Sequence, residues 1–158
     1  MGNLFAANEV VEMGIQIEKN GRDFYNTLLK QSRSDKAKKI FEFLAQEEEK
    51  HIIVFQKLLD SIHKYEPAES YPGEYFSYLN TLASEYIFTQ KDKGSGIARK
   101  TKSDEEAVKL GIKFEKDSIL FYQAMKDVVH KSGHNPIDEL IRQEKSHLQK
   151  LSELKSTL

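Results

Sequence analysis

Two glutamate and histidine pairs at i,i+3 spacing, Glu48/His51 and Glu144/His147, set the chemistry this chain can do. Residues three apart share one face of a helix, so each pair offers a carboxylate and an imidazole to the same point in space, an oxygen and nitrogen donor set suited to a divalent metal. Both pairs interrupt apolar rows. Phe41, Glu48 and Phe55 run beside Leu44, His51 and Leu58, and Ile137, Glu144 and Leu151 run beside Leu140, His147 and Leu154. Two further glutamates break equivalent rows, Glu18 between Val11 and Tyr25, and Glu115 between Val108 and Tyr122. Four ionised carboxylates in an apolar core are severely destabilising unless cations neutralise them. Two divalent metals balance four glutamates, with neutral imidazoles completing the shells, and two trivalent ions bridged by an oxide are neutral as well. A redox cycle can therefore run without burying net charge. The rival reading is a polar core held by Glu–His hydrogen bonds. It leaves four charges unexplained, and also the mid-helix Gly14 and Gly21, each costing about 1 kcal/mol relative to Ala and flanking Glu18 by one turn on either side.

Long helices must position these residues. Prolines occur only at 67, 72 and 136, outside the stretches of helical periodicity. The spacing predicts a first helix from Asn3 or Asn8 to about Lys30, and a second capped by Ser34 that runs to about His63. A third is opened by the capping box Ser103/Glu106 and runs to about Val129, and a fourth has Pro136 at its first position. Between the second and third lie about forty residues: a Pro/Gly turn, a shorter amphipathic helix over Glu74–Phe88, and a polar loop over Lys91–Lys102. The expected organisation is one domain, 1–158, with helix hairpins at about 3–64 and 103–156 and a crossover at about 65–102, the second and third helices running parallel.

The hairpins repeat each other. Met13–Tyr25 lies over Leu110–Tyr122, with Gly, Ile, Glu, Lys, Phe and Tyr identical at matching places, and Leu44–His51 lies over Leu140–His147. The repeat settles the ligand register, because the counterpart of Glu47 is Gln143 and only the i,i+3 glutamate occurs in both hairpins. Glu47 and Glu49 are accordingly expected to be solvated, and His63, His130 and His134 to be exposed or capping. Tyr25 and Tyr122, two turns from the core glutamates, are readable either as core residues with satisfied hydroxyls or as hydrogen-bond donors to the carboxylates that can also supply an electron.

Composition narrows the function. With 24 Lys plus Arg against 25 Asp plus Glu, and neither sign gathered in a tail, nucleic acid and anionic membranes are not expected partners. No apolar run approaches the roughly 20 residues of a membrane span, and Met1–Val10 does not read as a signal segment. A cytoplasmic protein is expected. The absence of Cys excludes disulfides, iron–sulfur clusters and cysteine-ligated iron or zinc.

One Glu from each of two helices and Glu-x-x-His from each of two others is the ligand pattern of ferritin-like di-iron bundles. Within that group the chain resembles the rubrerythrin family over essentially its whole length, most specifically through Glu115-Lys-Asp-Ser-Ile-Leu-Phe-Tyr122 and the two Glu-x-x-His pairs. The resemblance implies an all-α, ferritin-like four-helix bundle holding two iron ions on Glu18, Glu48, His51, Glu115, Glu144 and His147, with Glu48 and Glu144 bridging. Manganese and zinc accept the same donors. It further implies reduction of hydrogen peroxide or dioxygen, and a homodimer is the expected assembly. Ferritin-like iron oxidation or handling, and a bundle that keeps its metal only for stability, fit the same site. The sequence departs from the family in having no rubredoxin domain, so electrons must come from an external carrier such as a rubredoxin-like protein. The peroxide-reducing members also carry a further Glu one turn beyond the third-helix ligand, where this chain has Ser118.

Overall fold

The computed structural model describes residues 7–65 and 73–158. These residues are almost entirely helical, with no strand among them. The bundle helices are α1 (Ala7–Gln31), α2 (Asp35–Tyr65), α5 (Asp104–Met125) and α6 (His134–Lys155), and between α2 and α5 lie α3 (Gly73–Glu85) and the short α4 (Gly94–Arg99). Helix starts follow their caps. Ser34 Oγ accepts from Ala37 N at 3.2 Å, and Ser103 Oγ accepts from Glu106 N at 3.1 Å. Glu106 reaches back one residue further than a capping box requires, accepting from Lys102 N at 3.3 Å.

Side-chain pairings give the helix directions. On α1, Gly14 lies against Phe55, and Gly21 against Glu48, so α2 runs antiparallel to α1. Tyr25 bonds Glu115 while Tyr122 bonds Glu18, so α5 is also antiparallel to α1 and therefore parallel to α2. The crossover makes this possible by running back along α1. Asn20 holds its middle, donating to Phe88 O at 2.7 Å and Gln90 O at 2.6 Å while accepting from Lys93 N at 2.9 Å and Gly94 N at 3.1 Å. Further along, Gln31 donates to Ala98 O at 2.7 Å, and Asp104 accepts from Ser34 N at 3.2 Å, delivering the chain to the end of the bundle where α5 starts. A Cβ on Gly94 would lie 2.0 Å from Asn20 O, so only glycine lets the two backbones approach this closely.

Some boundaries differ from the expectation. The segment Lys91–Lys102 is not all loop, because α4 forms once Asn20 caps the amides of Lys93 and Gly94. The amphipathic crossover helix ends at Glu85, and a separate 3-10 turn, Ile87–Thr89, carries Phe88 into the core. The third long helix stops at Met125 and continues as a 3-10 turn to Val128. The fourth begins at His134, which puts Pro136 third rather than first, still within the turn whose amides need no helical acceptor. Asn8 sits inside α1 rather than capping it. The alternative cap, Asn3, and the Pro67–Pro72 turn lie outside the described residues.

Candidate metal centre

All six residues singled out by spacing meet at mid-height in the core, one from α1, two from α2, one from α5 and two from α6, each no more than 4% exposed. Each does so with an apolar row above and below it: Val11 and Tyr25 around Glu18, Phe41 and Phe55 around Glu48, Val108 and Tyr122 around Glu115, Ile137 and Leu151 around Glu144. The apolar rows fix the helix rotation and thereby aim the carboxylates inward.

The donor atoms fall into two overlapping groups. Glu18, Glu48, His51 and Glu144 offer ligand atoms within 4.8 Å of one another, and so do Glu48, Glu115, Glu144 and His147. Glu48 and Glu144 belong to both. Six buried atoms converge here, one on each residue: Glu18 Oε2, Glu48 Oε1, His51 Nδ1, Glu115 Oε2, Glu144 Oε1 and His147 Nδ1, with His51 Nδ1 2.8 Å from Glu144 Oε1 and His147 Nδ1 3.4 Å from Glu48 Oε1. Buried polar atoms whose partners come only from within the cluster are costly, and six convergent ones of this chemistry fit two divalent cations.

Their electrostatics point the same way. Burial pushes the Glu48 and Glu115 carboxyls well above the ordinary carboxylate range, reinforced in both by the Glu144 charge. Burial alone would depress the His51 imidazolium, but the Glu18 charge and contacts to Glu144 and Glu18 raise it to about 11. Burial opposes ionisation of Glu144 too, yet hydrogen bonding from Glu115 and His51 lowers it to about 2. Burial lowers His147. Protons thus do the neutralising when no metal is bound, and a metal must displace them.

Neighbouring residues orient the donors. Tyr122 Oη donates to Glu18 Oε1 at 2.6 Å, and Tyr25 Oη to Glu115 Oε1 at 2.7 Å, so each hairpin's tyrosine holds the other's glutamate. Burial raises both phenols, which keeps them protonated donors. Gly21 makes room for Glu48, whose Oε2 would lie 2.9 Å from an added Cβ. Gly14 serves packing instead, since its Cβ would meet Phe55 and Met125 at 3.1 Å.

Gln143 fixes a tautomer. Its Nε2 donates to Glu139 at 3.1 Å, which leaves Oε1 to face His51 Nε2 at 2.7 Å. His51 Nε2 must then carry a proton, and Nδ1 points inward, 2.8 Å from Glu144 Oε1 and 3.4 Å from Glu18 Oε1.

Glu47 and Tyr86 sit differently from what spacing alone suggests. Glu47 is only partly solvated: its side chain is 16% exposed, and a carboxylate oxygen lies within 4.8 Å of a ring nitrogen of both His51 and His147. Glu47 and Gln143 occupy the same place in the repeat, and that correspondence was the available signal. Tyr86 and Ser118 join hydroxyls at 2.8 Å, while Tyr86 donates to Phe114 O at 3.0 Å. These two help to line a cavity of about 10 Å³ that reaches Glu48, Glu115 and Glu144 on the side away from the histidines. Nothing in the local sequence marks Tyr86, which arrives from the crossover. Glu49 is more than half exposed and pairs with Arg22 at 2.8 Å, as a solvated residue should. His130 and His134 stabilise the turn between α5 and α6, His130 Nδ1 accepting from Ser132 N at 3.1 Å and His134 Nε2 lying 3.0 Å from Val129 O. The His63 side chain lies outside what is described.

A family model described as rubrerythrin matches residues 9–155, nearly the whole chain, and no rubredoxin domain is evident. No curated protein and no solved structure matches the chain. Among the described residues no helix is long and apolar enough to cross a membrane.

Proposed function

The chain belongs to the rubrerythrin family, and on that premise we propose that it is a di-iron carboxylate protein reducing hydrogen peroxide or dioxygen with electrons from an external carrier. The observation that carries the reading is the convergence of four buried glutamates and two buried histidines into two groups of ligand atoms. Glu18 and His51 would serve one metal, Glu115 and His147 the other, and Glu48 and Glu144, common to both groups, would bridge. Bound iron would supply electrons and open coordination positions for reducing an O–O bond.

The chain's own residues do the rest. Tyr25 and Tyr122 hold the terminal glutamates in place and keep a proton beside each. Phe88 and Phe114, both buried, line the space beside Glu48, Glu115 and Glu144 and keep bulk water from those carboxylates, which strengthens the charge interactions among them. The small cavity beside Tyr86 and Ser118 has room for about one water-sized molecule. Hydrogen peroxide takes up two electrons and two protons to become two waters, so a donor must dock repeatedly. Without a cysteine-ligated iron of its own, this chain would take those electrons from a rubredoxin-like protein.

Ser118 bears on rate. Its hydroxyl is too short to replace a carboxylate ligand, and it is already bonded to Tyr86. The metals should therefore keep the same six side chains in both redox states, and peroxide turnover should be slow relative to family members with Glu at that place.

The deciding experiment is elemental analysis and optical spectroscopy on protein isolated without oxygen, then exposed to peroxide with and without a reduced carrier. Two irons per chain and carrier-dependent loss of peroxide are expected. Cage-sized assembly with mineral uptake would instead establish iron storage, and a tightly held but inert metal would establish a structural role. Sizing of the same sample tests the homodimer.

A further inference from the structure

The two halves of the centre are matched in their inner residues but not behind the histidines. In one half, His51 turns its outer nitrogen to the neutral amide of Gln143 at 2.7 Å. In the other, His147 directs Nδ1 at the carboxylates, 3.4 Å from Glu48, 3.6 Å from Glu144 and 3.9 Å from Glu115, which leaves Nε2 for an outer partner. The residue in the matching place of the repeat is Glu47, with a carboxylate oxygen within 4.8 Å of a ring nitrogen of both histidines; because His51 Nε2 is already taken by Gln143, His147 is the one whose outer nitrogen is open to it. Glu47 is held there by Lys50 at 2.9 Å and is largely withdrawn from solvent, while Lys50 is 70% exposed. Gln143 is held in the corresponding way by Glu139.

We propose that Glu47 and Gln143 make the centre unequal, the anionic Glu47 behind His147 giving the Glu115/His147 half a higher metal affinity than the Glu18/His51 half backed by Gln143. This rests on the metal-centre reading above. A cation on the inner nitrogen of an imidazole draws electron density from the ring and makes the outer N–H a stronger donor. A carboxylate accepts such a hydrogen bond more strongly than an amide does, and it also lies nearer to balancing the added charge. Removing an outer partner of this kind typically lowers metal affinity about 10- to 100-fold. Metal should therefore load in order, the Glu115/His147 half first. Glu47 acts through His147 and is a positioning residue, not a ligand.

Titration of the metal-free protein with Co2+ without oxygen, followed by visible absorption and calorimetry, tests this. Wild type should bind in two separable steps. Glu18→Gln isolates the Glu115/His147 half, and Glu115→Gln isolates the other. Adding Glu47→Gln should weaken Co2+ binding about 10- to 100-fold in the Glu18→Gln background and leave the Glu115→Gln background nearly unchanged. Gln143→Glu should do the converse, strengthening Co2+ binding only where Glu115 is replaced. Glu47→Asp should restore part of the loss, which a merely structural defect would not allow. Equal effects in both backgrounds, or none, would overturn the proposal while two bound metals in the wild type leave the centre itself standing. A third Co2+ per chain that disappears with Glu47→Gln would overturn it as well, by making Glu47 a ligand. A wild type that binds no Co2+ would remove the metal-centre reading and this one with it.

Discussion

The α1–α2 hairpin and the α5–α6 hairpin carry the same inner residues, yet they are surrounded differently. Each contributes a lone glutamate, a Glu-x-x-His pair and a tyrosine that crosses to the other hairpin. The contrast begins one residue outside that set. Asn20 in the first hairpin is fully buried and makes four hydrogen bonds to the crossover. Its counterpart Asp117 faces outward and pairs with exposed Lys113 at 2.8 Å. Gly21 makes space for Glu48, while its counterpart Ser118 bonds the crossover's Tyr86. The two hairpins diverge where the connecting chain touches them and behind the histidines, and agree in the six buried side chains that converge.

The largest effect should come from what the hairpins share. Glu144→Ala or Glu48→Ala removes a donor common to both groups, and either variant should lose at least one metal per chain by elemental analysis. Two metals retained would show that the ligand set is wrong.

Next is the pH response without metal. Glu48 and Glu115 have folded values above the ordinary 4.5, and His51 is raised from 6.5 to about 11. Groups raised on folding contribute stability below their unfolded values that is lost as pH climbs through the folded ones. Glu144, lowered to about 2, works oppositely and contributes above 4.5. His147, lowered by burial, also works oppositely, and its contribution is complete by pH 6.5; three raised groups against these two predict that metal-free protein loses stability as pH rises above about 6.5, whereas metal-loaded protein does not. Thermal melts of both forms between acid and alkaline pH measure this, and parallel melting curves would contradict it.

The Asn20 and Asp117 contrast is sharper still as a paired measurement. Asn20→Ala strands four crossover groups and should cost about 4 kcal/mol at roughly 1 for each hydrogen bond. Asp117→Ala should stay within about 0.5 kcal/mol. Denaturant unfolding of both checks the difference, and comparable losses would mean that the crossover is not held at Asn20.

The smallest effect tests symmetry directly. Tyr25→Phe and Tyr122→Phe each delete a hydrogen bond to a carboxylate and should cost a similar amount, about 1.5–3 kcal/mol. A large disparity in denaturant midpoints would show that the two glutamates are held unequally.

The bundle and the convergence of six buried polar side chains were legible because they are written as periodic exceptions: a glutamate in an apolar row is visible without knowing what lies across from it. Parallel α2 and α5 were legible from connection length alone. Tyr86 was not, since its partner Ser118 is 32 positions away and no repeat relates them. Short α4 was hidden for a similar reason. Gly94–Arg99 has weak helix formers and no side-chain cap of its own, and the cap comes from Asn20 on another helix. Glu47 was misread because the repeat was used to choose between adjacent glutamates, when the substitution of Glu by Gln at one place was itself the informative difference.

The exchange of Glu48 and Glu144 between the two donor groups has a polymer consequence. Neither hairpin alone supplies a complete group, since each group of four takes at least one donor from the opposite hairpin. Any ion seated there ties together chain segments about a hundred residues apart, as a disulfide would. Closing a loop of that length removes roughly 4–5 kcal/mol of entropy from the unfolded chain if the tie persists on unfolding. In a chain without cysteine, the two cations would be its only cross-link, one that chelators rather than reductants undo.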